Sequence, residues 1–325
     1  MREAAFIKRN EAKWKRLELV LTNAKALTAD EASDLYIQLN DDLSYARTFY
    51  AKSAITTYLN GLAVRLHQHI YRNKRTPKGR FYTFWRDEVP MAIAQARGNL
   101  LIAFTVFMVA MLIGAVSAKH DPTFVRLILG DGYVDMTLEN IQNGKPMAVY
   151  DDEDSGMMFL QITVNNIRVS FNAFIAGLFT ALISGLVLLY NGIMVGAFQY
   201  FFHEQGVLQE SLLTIWVHGT LEISAIIIAG GAGMCLSSGL LFPGTLTRSE
   251  SFRRGAMIGL KVVMGLVPVF IIAGFLESFV TRHALTLRPW VALTIIFGSL
   301  AWVIWYFIIL PYHAERRTRA IAPGA

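Results

Sequence analysis

The sequence has one cysteine, Cys235, in 325 residues. A single thiol excludes an internal disulfide and any cysteine cluster for a metal; inside an apolar stretch its expected role is that of a small buried hydrophobe. Charge is scarce too, since 17% of residues are Asp, Glu, Lys or Arg while 54% are hydrophobic. With a mean hydropathy of +0.41, that balance excludes an ordinary soluble globule. Long apolar runs are absent from the first 98 residues and fill most of the chain from Asn99 onward. The expected class is all-α: a polytopic helical membrane bundle behind an N-terminal cytoplasmic helical domain. No apolar stretch closely follows the charged start MREAAFIKRNEAKWKR, so the first span is expected to act as its own insertion signal.

The front, residues 1–98, reads as helices. FIKRNEAKWKRLELVL has apolar residues at helical spacing, and Thr28 with Glu31 forms a capping-box signature for a second helix. Leu43, Phe49, Tyr50, Leu59, Leu62, Leu66 and Ile70 fall within reach of one face of the next segments. A helical bundle or hairpin follows. His67 and His69 stand two apart and cannot share a helix face, which argues against a local metal site. Near residues 78–90, Phe81, Tyr82, Phe84 and Trp85 mix with Arg80 and Arg86, the composition of a segment in the lipid headgroup layer or of an aromatic plug.

The membrane domain is expected over 99–311, with apolar segments at about 99–117, 168–190, a short 192–204, 211–236, 257–280 and 290–310, and a basic cytoplasmic tail at 312–325. Before the first span, Lys and Arg outnumber acids by 17 to 10; residues 118–166 carry three basic groups against eight acidic ones. The positive-inside rule then places the N-terminus in the cytoplasm of a bacterial inner membrane and an acidic loop, 118–166, outside. The loop LTRSESFRRG and the tail HAERRTR are both basic, and both fall inside only if 192–204 crosses or forms a hairpin. Six passages with both ends cytoplasmic are therefore expected, with Asn191-Gly192 as the break before the short element. The run Asp151 to Asp154 reads as a solvated loop.

Helix association in lipid relies on close backbone approach and on hydrogen bonds. Gly192 with Gly196 and Gly255 with Gly259 supply small residues four apart, fitting a tight bundle or a homodimer. Polar groups inside spans are costly facing lipid, which singles out His218 and Glu222, one helical turn apart, with Glu277, Asn172 and Asn191 in support. Three readings compete for the pair. Zinc hydrolysis would need HExxH, and His203-Glu204 is followed by Val207 where the second His belongs. A proton or ion path is physically reasonable. A structural pair bonded across helices, to Asn191 or Asn172, fixes one assembly geometry. No cofactor, no metal and no nucleic-acid partner is expected.

The motifs W..LE (Trp14, Leu17, Glu18) and DL..AR…YLN….R.H..IY (Asp42 to Tyr71), then N…F..G…..NG…G, and HG..E on His218, Gly219 and Glu222, resemble the stage II sporulation protein M family over nearly the whole chain. The resemblance implies an integral membrane protein rather than a catalyst. In spore formers the namesake helps assemble or anchor peptidoglycan-degrading partners during engulfment, and the family is commonly described with five spans. The expected function is a non-enzymatic scaffold of an envelope or cell-wall-remodelling complex, in contact with lipid and with envelope proteins. The alternative is a transporter or channel with an intramembrane His/Glu path.

Overall fold

The computed structural model describes residues 2–22, 29–72, 79–147, 155–283 and 288–321. The capping box at Thr28 and the acidic run Asp151 to Asp154 lie outside the described residues. The described residues are 90% helical and contain no strand, and the chain divides into two compact units, Met1–Arg80 and Phe81–Ala325.

The first unit contains α1 (Glu3–Thr22), α2 (Ala29–Phe49) and α3 (Ala54–Arg72). Its core is built from one stripe of each helix: Phe6, Trp14 and Leu17; Leu39, Leu43 and Ala46; Ile55, Leu59, Leu62 and Leu66. The 59, 62, 66 spacing is one face of a 3.6-residue helix, and each buried Leu contributes about 1.5–3 kcal/mol. Polar ties sit at the rim. Asp42 on α2 accepts from Trp14 Nε1 of α1 at 2.8 Å and pairs with Lys13, while Arg47 of α2 donates to Asn60 of α3 at 2.8 Å. Phe49, expected on the inner face, is exposed.

The second unit begins within α4 (Arg80–Thr83) and continues through a π-helical stretch Phe84–Glu88 and α5 (Val89–His120). The boundary expected at residue 98 therefore falls inside a helix. The division lies at Arg80 because Val89, Ala92 and Ile93 already belong to the core of the second unit. Within the 78–90 segment, Phe81 and Tyr82 are exposed, and Arg86 covers the Tyr82 ring. The residues expected as an acidic loop are largely helical: α6 (Pro122–Leu129), α7 (Asp131–Gln142) and the first half of α8 (Ser155–Ala176). Asp121 caps α6 by accepting from the Thr123 amide at 2.9 Å. Val125, Val134 and Met147 then pack on Ala118, Ala197, Phe201 and Phe202, so an apolar underside anchors this acidic region.

Next come α9 (Ala181–Glu204), α10 (Leu208–Leu241), α11 (Arg248–Phe275), α12 (Pro289–Ile304) and α13 (Leu310–Ile321), the last two joined through a π-helical Trp305–Ile309. The tail expected from residue 312 is thus partly helix. Among the described residues, five helical stretches are long and apolar enough to cross a membrane: 80–120, 181–204, 208–241, 248–280 and 289–317. The division of 168–204 at Asn191-Gly192 is overturned. The break lies at Gly177–Thr180, and α9 runs unbroken through 192. Asn191 donates to its own helix at Val187 O, 2.8 Å away, and Gly192 is small because α5 presses on it: a Cβ there would stand 2.7 Å from the Phe107 carbonyl oxygen.

Contacts fix the helix directions. Gly192 faces Phe107 and Ala110 while Gly196 faces Met111 and Ala115, so α9 runs parallel to this part of α5. Gly230 of α10 meets Leu188 and Gly233 meets Ser184, so α10 is antiparallel to α9; Gly255 and Gly259 of α11 meet Cys235 and Ala232, so α11 is antiparallel to α10. Two parallel neighbours, α5 and α9, require the chain between them to travel back. It does so in α8, which runs with α10 (Gly177 beside Gly233) and against α11 (Phe174 beside Gly259, Thr163 beside Gly274). Helix α10 is central: 56% of its most apolar stretch is buried, against 17% for 289–317.

Candidate functional site

His218 and Glu222 share a face of α10 because four residues make slightly more than one turn. They look toward the far end of α11, where the helix widens into a π-helical Leu276–Val280 and closes in a 3-10 turn Thr281–His283. That widening brings Glu277 and Thr281 to the same imidazole. Thr281 Oγ1 lies 2.9 Å from His218 Nδ1, and Glu277 Oε1 lies 3.8 Å from Nε2. One ligand-capable atom from each of His218, Glu222 and Glu277 falls within 4.8 Å of the other two. Helix α8 supplies a fourth group, with the Asn166 side chain beside Glu222. His218 and Asn166 are buried.

Beside this cluster, the buried hydroxyls of Ser278 on the π-helical stretch and of Thr214, one turn before His218, have no hydrogen-bond partner among the described residues. Polar capacity around the imidazole therefore exceeds what the neighbouring side chains satisfy.

The expectation that the pair bonds to Asn191 or Asn172 is corrected. Asn191 binds its own helix and Asn172 is exposed; the partners are Glu277 and Thr281, with Asn166 beside them. Gly219 meets no atom of another helix within 4 Å. Glu277 joins the pair directly. Thr281 gave no signal of its own, yet it stands four residues after Glu277, the spacing of His218 and Glu222. The four packing glycines stand at close approaches within one chain. A Cβ would come within 1.9 Å of Met111 O at Gly196, 2.6 Å of Cys235 O at Gly255 and 2.7 Å of Ala232 O at Gly259.

Side-chain polarity says what surrounds this unit. In α5, Ala103, Ala110 and Gly114 are buried, while Leu101, Ile102, Phe104, Leu112 and Val116 are exposed. A helix that hides small residues and presents large apolar ones outward fits lipid rather than water, and with five long apolar helices among the described residues this defines an integral helical membrane protein. A family model described as Stage II sporulation protein M matches residues 103–282, and the chain belongs to that family. The first unit is a separate matter, because residues 4–72 match a domain family of unknown function. The resemblance thus narrows from nearly the whole chain to the membrane unit. Searches of the curated proteins and of the solved structures find no match.

Proposed function

We propose that this member of the family is a non-enzymatic scaffold of the bacterial inner membrane that assembles envelope or cell-wall-remodelling proteins. The supporting observation is the glycine seam. Where Gly114 meets Ile193, Gly196 meets Met111 and Gly177 meets Gly233, backbone touches backbone, so these interfaces hold a rigid body and leave no room for a solute between them. The outward faces of α5 and of 289–317 are the ones free for lipid and for partners. The same faces serve self-association, since the glycines are occupied within the chain; a strictly monomeric mass in native nanodiscs removes the homodimer.

In this reading both termini are cytoplasmic. The return direction of α8 supports a sixth passage beside the five apolar ones, and the basic 248–254 and 316–319 segments then both lie inside. A periplasmic reporter active at the C-terminus refutes it. Function is tested by in-cell crosslinking and affinity capture of the native chain against His218→Ala and Glu222→Gln: defined envelope partners that vanish with the variants support the scaffold, and their absence refutes it. The buried cluster also favours a second reading, an ion or proton path. Proteoliposome flux that survives Glu222→Gln counts against it.

A further inference from the structure

The geometry points to a binding site for one first-row divalent transition ion, of the Zn²⁺ or Mn²⁺ class, held by His218 Nε2 and the carboxylates of Glu222 and Glu277. The inference does not depend on the scaffold reading. Three donor atoms from two helices lie within 4.8 Å of one another, and the His218–Glu277 pair is already at 3.8 Å. In a site with bonds of about 2 Å, tetrahedral donors stand roughly 3.3 Å apart, so rotamer adjustments of the two glutamates close the set.

The charge and donor types select the ion. Two adjacent carboxylates in a low-dielectric interior repel each other, and removing that repulsion with a cation requires a charge of +2 when the imidazole is neutral. A divalent ion brings the cluster to zero. An imidazole nitrogen with two carboxylates suits first-row transition ions, whereas Mg²⁺ and Ca²⁺ favour all-oxygen shells.

The surroundings resemble those of built sites. Thr281 holds Nδ1 at 2.9 Å, which fixes the ring and leaves Nε2 facing Glu277, the orienting contact that metal-bound histidines use. Asn166 on α8 lies beside Glu222, its buried amide nitrogen without a hydrogen-bond partner among the described residues. The ligands come from α10 and from a π-helical turn, a local widening often found where function is placed. The Glu277 side chain retains 15% exposure, so an ion has an edge by which to enter. Bound there, it would pin the end of α11 to α10.

The test uses the full chain with a purification tag free of histidine, in nanodiscs. Metal content is measured by inductively coupled plasma mass spectrometry, and the chelator-stripped protein is titrated with Co²⁺ and then Zn²⁺. Expected are about one ion per chain, Co²⁺ d–d absorption bands displaced by Zn²⁺, and affinity reduced at least ~100-fold in Glu277→Gln. Thr281→Val lowers affinity ~10–100-fold, while Glu204→Gln, which alters the only His-Glu dipeptide, binds as the native chain does. No retained ion and no Co²⁺ bands in the native chain overturn the site and leave the carboxylates sharing protons. Equal binding by a monodisperse Glu277→Gln overturns it as well. The native titration stands even if a variant fails to fold.

Discussion

Helices α3 and α5 bury different residues. In α3, Leu59, Leu62 and Leu66 point inward; in α5, Ala103, Ala110 and Gly114 point inward while Leu101, Leu112 and Val116 point outward. The first unit gains stability by removing hydrocarbon from water. The second gains nothing that way, since lipid is as apolar as leucine, and depends on how closely backbones approach and how well polar groups are satisfied. Leucine is thus the sensitive residue in one unit and glycine in the other.

The widest test of this contrast is Gly196→Leu. The nearest atom to a Cβ there is the Met111 carbonyl oxygen, which belongs to backbone and cannot rotate away, so loss of monodisperse protein in detergent is expected; a stable variant would dissolve the contrast. Next is Leu62→Ala, fully buried in the first unit, expected to cost about 2–5 kcal/mol. Hydrogen exchange over 54–72 in the full chain reads this as faster opening, with 208–241 unaffected. Gly61→Ala beside it has the opposite sign. Nothing lies within 4 Å of that Cβ, and relief of glycine's entropy stabilises α3 by about 0.5–1 kcal/mol, read as slower exchange in the same peptide.

The smallest effect is one of pH. The Thr123 hydroxyl, and then its amide, hold the Asp121 carboxyl below the usual carboxylate range. Its contribution to α6 is fully present above that range and is lost as pH falls through the lowered value. Proteolysis or exchange at 122–129 should rise on acidification, and Asp121→Ala should flatten the dependence.

The sequence carried the helical class and the positions of the apolar stretches, because hydropathy averaged over about 20 residues is insensitive to detail. It misplaced the break in 168–204. Asn-Gly is turn chemistry in water, but in α9 the amide bonds its own helix and the glycine admits α5, and only the neighbour reveals that. The pair His218 and Glu222 was legible from its spacing. Glu277 was singled out as a supporting polar residue, but its joining the pair was not legible, because it stands 55 residues later on a π-helical turn that no local pattern announces. Asn166 belongs to a buried stripe of α8 with Thr163 and Ser170, yet Gln161, Asn165, Arg168 and Asn172 of the same helix are exposed, so polarity alone does not show which face turns inward.

That stripe bears on how the protein is made. Helices α5 and α9 are apolar enough to partition from the translocon into lipid singly, whereas α8 lies between them in the chain with a polar face that lipid does not satisfy. The helices packed on this face, α10 and the end of α11, are synthesised after it. Entry of α8 into the bilayer is therefore a late folding event, completed when the downstream helices arrive, and nascent chains stopped before α11 should leave α8 accessible to aqueous labelling.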